Sequence, residues 1–423
     1  LITLDSQYGT VNASAVTMIT GTASEIKTVY ASRGISGLGN EEITLSAGSV
    51  AAADLNIINA ATSGLVTATN ITAITGTALA VKAVIDAEAD TGNAINLDTD
   101  FMVTITPAGT AAAADLNAIS AKTTGNITAT SVTTLTGTVS EIATLIADEV
   151  EAGNGVNLDG DFTVTVSDGT TTAAQLAKID AKTSKNVDAS LVAAISGTAS
   201  EFITIQGAQG VGDNQYQLKA NAALTVTDTG TVDSGDLETI RGMTTGFTDA
   251  TAAAGINGTA SEITTLLGNE GTTGNTVGLD GNFTMTVSSG QATVAEANTM
   301  AAFSTSGAIT ATISNTDIAE LDDLSTSSAD QLTITVASTS ATAAQLKTVG
   351  DATGLNVTAT AVETVTGTAT QMDALLSDEG TSGDKINLDS NFNITIAGST
   401  ATVTQANAYG TATAGVVTAT ISN

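Results

Sequence analysis

The 423-residue chain carries 43 acidic and 11 basic side chains, a formal charge of −32, which excludes functions that need a positive field, nucleic-acid binding and docking on anionic membranes above all. It has no Cys, His or Trp, so disulfides, thiolate metal sites and catalysis by a His base or a Cys nucleophile are excluded as well. Hydrophobic residues make up 42% of the chain but aromatic ones only 3%, which predicts a core of Ala, Val, Ile, Leu and Thr in many small, similar layers.

Taken in chain order, the sequence is a repeat. It opens at Leu1 and closes at Asn423 inside repeat units, so we expect residues 1–423 to be one continuous array cut from a longer polypeptide. No run of 18 apolar residues occurs, so no membrane insertion is expected, and no signal peptide is visible. The motif Gly-Thr-Ala-Ser-Glu-Ile begins at Gly21, Gly197 and Gly258, with variants at Gly76, Gly137 and Gly367 and a degenerate copy at Asn315. A second motif, Ala-Ala-x-Leu-x-x-Ile, is anchored at Leu55, Leu116, Leu176, Leu237, Ala297, Leu346 and Ala406. The two series interleave, so a period of about 60 residues holds two related half-units of about 30.

Each half-unit begins with an alternating stretch suited to a strand with one buried face, as in Asn126-Ile-Thr-Ala-Thr130 and Phe162-Thr-Val-Thr-Val166. A short helix follows. Thr22/Glu25, Thr138/Glu141, Thr198/Glu201 and Thr259/Glu262 predict capping boxes, Thr368/Gln371 an amide version, and Thr77 with Ala80 a weakened cap. In the second family, Gly64, Gly125, Gly246, Gly307 and Gly415 are expected to end the helix at a positive φ, with Lys185 and Leu355 as exceptions. The fold expected is a repeat solenoid of parallel β-strands with short α-helices, right-handed in its coiling; a string of small β-rich domains is the alternative. Helices on one side of every coil would curve the array, and helices on alternate sides would straighten it; the sequence leaves both open.

Most long units carry an acidic, Gly- and Asn-rich insertion after the capping-box helix, at residues 148–161, 269–282 and 378–391, and the unit near Asp317 lacks it. The acidic loops end in Asn96-Leu-Asp-Thr-Asp100, Asn157-Leu-Asp-Gly-Asp161, Gly278-Leu-Asp-Gly-Asn282 and Asn387-Leu-Asp-Ser-Asn391. Hard oxygen ligands on Gly-containing loops suit Ca²⁺, so Asp98, Asp100, Asp159, Asp161, Asp280 and Asp389 are candidate calcium ligands, with Glu149, Glu270 and Glu379 earlier in the insertions. The competing reading makes these residues ordinary turns around a core-plugging Leu, such as Leu158.

Thr-Ala-Thr triplets at Thr67/Thr69, Thr128/Thr130, Thr310/Thr312, Thr358/Thr360 and Thr418/Thr420 predict a hydroxyl ladder if strands stack, a surface suited to polysaccharide or ice as well as to plain solvent. Asn-x-Ser/Thr sequons stand at Asn12, Asn70, Asn126, Asn257, Asn282, Asn356 and Asn393, a number expected by chance in a chain so rich in Ser and Thr. Gly34-Ile-Ser-Gly-Leu-Gly39 lacks the Lys-Ser/Thr context of a phosphate loop, and the acidic residues recur with the repeat instead of forming one unique cluster, so no enzyme is expected.

Thr293-Val-Ala-Glu-Ala-Asn298, followed by Ala308-Ile-Thr-Ala-Thr-Ile-Ser314, and the recurring Gly-Thr-Ala-Ser-Glu-Ile resemble repeats in giant repetitive secreted cell-surface proteins of cyanobacteria and other aquatic bacteria. The resemblance covers essentially the whole chain. It implies an extracellular or cell-surface structural, adhesive or motility-associated role, commonly with type I secretion and calcium, and it transfers no site residue. The expectation is therefore an extracellular structural protein of a surface fibril, sheath or S-layer-like assembly, partnered by copies of itself. A calcium-dependent adhesin or carbohydrate-binding module that contacts surface polysaccharide is the alternative, and an ice-binding protein the third reading.

Overall fold

The computed structural model describes residues 1–88, 94–149, 155–167, 169–207, 216–304, 306–378 and 385–422. They divide into two compact units, residues 1–195 with 204–222 and residues 196–203 with 223–423. Each unit is a β/α solenoid built from short parallel strands that alternate with short helices.

The helices of the first unit are α1 (Ile2–Tyr8), α2 (Ala23–Ala31), α3 (Ala52–Ala61), α4 (Ala78–Glu88), α5 (Ala113–Ser120), α6 (Val139–Ala147) and α7 (Ala173–Asp180). Helix α8 (Ala199–Gly207) is divided between the units. The second unit holds α9 (Ser234–Arg241), α10 (Ala260–Gly268), α11 (Val294–Phe303), α12 (Ile318–Leu321), α13 (Ala343–Asp351), α14 (Ala369–Asp378) and α15 (Val403–Ala412). Both bonds of the capping box form at Thr22, Thr138 and Thr259, and Thr198 and Thr368 pair likewise with Glu201 and Gln371. At Thr77 only the bond from the Ala80 N–H remains, because Ala80 has nothing to return. The box extends to the second helix family at Thr172/Gln175, Thr293/Glu296, Thr342/Gln345 and Thr402/Gln405. Helices α2 to α7 pack each on the next, as do α9 to α11 and α12 to α15. Within each of these runs every half-unit is thus one coil with its helix on the same side.

In the first unit the strands form three ladders of four or five, each parallel throughout. One runs from Met18–Gly21 through Glu42–Leu45 and Val66–Thr67 to Ile95–Asn96. The next runs from Gly48–Ala51 to Val156–Leu158, and the third from Gly109–Ala112 to Tyr216–Leu218. Each begins on a strand that leads straight into a helix and ends on a strand just after an insertion. The reason is the unequal half-units. After α6 the chain lays down three strands, Val156–Leu158, Thr163–Val166 and Thr170–Thr172, but after α7 only two, Val187–Ala189 and Ala194–Gly197. The extra strand shifts the pairing sideways once per period, and the ladder slips to a new column. The second unit builds ladders of the same kind, from Thr231–Asp233 to Gln331–Thr333 and from Ser340–Thr342 to Val417–Thr418.

The core follows the two motifs. Leu55, Leu116, Leu176, Leu237 and Leu346 are fully buried, as are Ile142, Phe202, Ile263 and Met372 from the capping-box helices. The expectation of a core without aromatic anchors needs correction. Phe101, Phe162, Phe283 and Phe392 are all buried, each directly after an acidic turn, so four of the seven Phe recur at one position.

The glycines after the second-family helices also differ from expectation. Gly64, Gly125, Gly307 and Gly415 do not have positive φ. A Cβ on them would instead lie 1.8–2.4 Å from the carbonyl oxygen of Glu41, Phe101, Phe283 or Phe392 in the preceding coil. Close approach of two coil backbones selects Gly there. At Gly64, Gly125 and Gly415 the approach is held by a buried hydroxyl two residues earlier. Thr62 Oγ donates to Glu41 O at 2.6 Å and accepts from Gly64 N–H at 3.0 Å. Thr123, Thr183 and Thr413 make the same pair of bonds, with Phe101, Phe162 and Phe392 as acceptors.

Candidate functional site

The six candidate calcium ligands all lie in exposed turns between a strand and the buried Phe. Asp98 and Asp100 share one turn and Asp159 and Asp161 another, while Asp280 and Asp389 have only Asn282 and Asn391 as turn mates. Each turn therefore supplies at most two carboxylates, and among the described residues no group of three His, Cys, Asp or Glu side chains could hold a metal ion. Several of the turn oxygens are already used. Asp98 Oδ1 accepts from the Thr99 N–H at 2.7 Å, Ser184 Oγ donates to Asp161, and Ser306 Oγ donates to Asn282 at 2.5 Å. Leu97, Leu158, Leu279 and Leu388 plug the core beside these turns. Glu149 accepts an ion pair from Lys182 at 3.2 Å, and Glu379 lies outside the described residues.

The Thr ladder forms as columns along the sheets, and where Thr110, Thr134 and Thr163 pair, a second column runs beside the first. Thr20, Thr44, Thr67 and Asn96 are partners across one sheet, and Thr75, Thr104, Thr128 and Asn157 across the next. In the third sheet the column is broken by acid, with Thr136 and Thr165 followed by Asp188 and Gln217. Thr69, Thr130 and Thr360, the second members of their triplets, lie past the strand end in the next turn. The surface is thus a set of short polar rows interrupted by acid and amide side chains, not a regular hydroxyl lattice.

Among the described residues two carboxylates are buried. Glu41 occupies the position that Phe holds in sister coils, and its carboxylate accepts from Tyr30 Oη and from the N–H groups of Gly39 at 2.8 Å and Asn40 at 3.3 Å. Burial pushes its pKa up, but the Tyr30 hydroxyl and the loop N–H groups together outweigh burial and hold it below the usual Glu value. Burial, reinforced by Glu41, pushes the Tyr30 phenol up. Asp330, 6% exposed, lies where the repeat is broken. It borders an open-sided cavity of about 340 Å³ whose lining includes five hydroxyls, those of Ser304, Ser306, Ser325, Thr326 and Ser327. Sequence reading missed this site, although the missing insertion near Asp317 signals it.

No protein-family model matches the chain, and no curated protein is detectably similar to it in sequence.

Proposed function

We propose that the chain is a structural array of an extracellular surface assembly, a fibril, sheath or S-layer-like layer, in which it stacks with copies of itself and catalyses no reaction. The observation that supports this reading is the uniformity of the coil-to-coil interface. Helix packs on helix, strand pairs with strand in parallel register, and a buried Thr ties the turns at Gly64, Gly125 and Gly415 to the preceding coil. A surface of this kind extends by adding more of the same. The acidic turns and the Thr column recur with the coils, as distributed surface properties do. Electron microscopy of the native material, with fractionation of the cell surface, is the test. A periodic filament or lattice at the surface is expected; dispersed particles confined to the cell interior would sink the reading.

Calcium enters this reading as a counterion to the acidic turns and not as the centre of a built cage. Melting temperatures in millimolar Ca²⁺ and in chelator are expected to agree at matched ionic strength. A higher value in Ca²⁺ would show that carboxylates of different turns, or of neighbouring copies, converge on the ion.

A further inference from the structure

In regular coils the leading N–H of the first strand bonds to a backbone carbonyl just after the next coil's insertion. Val66 bonds to Ala94 at 3.0 Å, Thr248 to Thr276 at 3.0 Å and Val357 to Lys385 at 2.7 Å. The coil that follows Ile309 lacks the insertion, and a side chain takes over. Asp330 Oδ1 accepts from the Ile309 N–H at 2.9 Å, while its Oδ2 accepts from the Ser327 N–H at 2.8 Å and Ser327 Oγ at 3.2 Å. The cavity of about 340 Å³ opens at this break, with Ala301 and Ala329 as its accessible apolar part.

Four of the five hydroxyls around it, those of Ser304, Ser306, Thr326 and Ser327, have already committed their protons. Ser306 Oγ donates to Asn282, Thr326 Oγ to the Ala352 carbonyl at 2.7 Å, and Ser304 Oγ to backbone carbonyls. What faces the cavity is oxygen that accepts, beside a buried carboxylate, in a chain of net charge −32. Such a lining selects a ligand that donates hydrogen bonds and carries no negative charge. The volume is about ten times that of one water molecule, too large for a lone ion and suited to a compact ring.

We propose that this cavity binds one ring of a hydroxyl-rich saccharide, neutral or amino-substituted. Its O–H or N–H groups donate to Asp330 and the serine oxygens, and its apolar face rests on Ala301 and Ala329. This goes beyond the structural role and stands or falls separately from it.

The test is saturation-transfer NMR and calorimetry on the full chain, with methyl glucoside, glucosamine and glucuronate as probes. Methyl glucoside and glucosamine are expected to bind with dissociation constants on the order of millimolar. Glucuronate is expected to bind at least about tenfold more weakly, because like charge opposes it. Ser325 is exposed, so Ser325→Trp blocks the mouth without touching the core, and binding is expected to vanish. Asp330→Asn keeps an oxygen for the Ile309 N–H but removes the charge, and is expected to lower glucosamine affinity about tenfold. Three results would each overturn the proposal: no transfer to any probe, unchanged binding in Ser325→Trp, or glucuronate binding as well as glucosamine. If Asp330→Asn fails to fold, Ser325→Trp alone decides.

Discussion

Ser234 and Thr248 are fully buried, and neither Oγ has a hydrogen-bond partner. Ser234 opens α9 at the position where α3, α5, α7 and α13 place Ala52, Ala113, Ala173 and Ala343. Its hydroxyl faces the backbone of Gly258, where an added Cβ would lie only 2.1 Å away. Thr248 stands on the strand position that holds Val66, Ile127, Val187 and Val357 in sister coils. A buried hydroxyl without a partner keeps its desolvation penalty, roughly 1–3 kcal/mol. Ser234→Ala and Thr248→Val should therefore each stabilise the chain, by about 1 kcal/mol. Denaturant midpoints that rise with an unchanged slope would bear this out, and a fall in either variant would mean that the hydroxyl has a partner after all.

At the scale of one element, the turn that links a second-family helix to the next strand depends on a single Thr. Thr123 Oγ donates to Phe101 O and accepts from the Gly125 N–H at 3.0 Å, out of contact with water. Thr123→Val keeps the shape but strands both backbone groups, and should cost about 1–3 kcal/mol. The exposed Thr133→Val, one turn away in sequence, should change stability by less than about 0.5 kcal/mol. Equal effects in urea unfolding would remove the special role of Thr123. This turn also shows what was legible in the sequence. The period, the helix anchors and the capping boxes could be read, because they rest on local spacing and side-chain type. Gly125 was recognised as obligatory but for the wrong reason, since the atom that excludes a Cβ belongs to Phe101, 24 residues earlier. The recurring Phe was overlooked because composition averages seven Phe over the whole chain, whereas packing sets four of them at one recurring position. The acidic turns were legible as turns. Their separation from one another was not, because it depends on how far apart the coils hold them.

For the molecule as a whole, charge sets the pH dependence. Acidic side chains exceed basic ones by 32, so most carboxylates have no basic partner, and their repulsion weakens the folded state at neutral pH. Individual groups lean both ways. Burial raises the Asp115 pKa, with Asp86 adding and Lys82 opposing; burial raises Asp180 against a hydrogen bond from Tyr216; burial and Asp233 raise Asp236. Glu25 and Glu262 are lowered by the backbone N–H and then the hydroxyl of Thr22 and Thr259, and Glu41 is lowered as described above. A raised carboxylate takes up its proton in the folded chain before the unfolded one does, so it adds stability as pH falls from 7 towards the ordinary carboxylate range. A lowered carboxylate does the reverse: its contribution is present above the unfolded value and is lost as pH falls through the folded one. The melting temperature should therefore rise from pH 7 to a maximum near about pH 5, then drop below about pH 4 as the helix caps and Glu41 take up protons. Added monovalent salt at pH 7 should raise it too and flatten the acid-side rise, since both act on the same repulsion. A melting temperature highest at pH 8, or unmoved by salt, would show that the carboxylates are spaced too widely to repel one another and that the chain's acidity has no bearing on its folding.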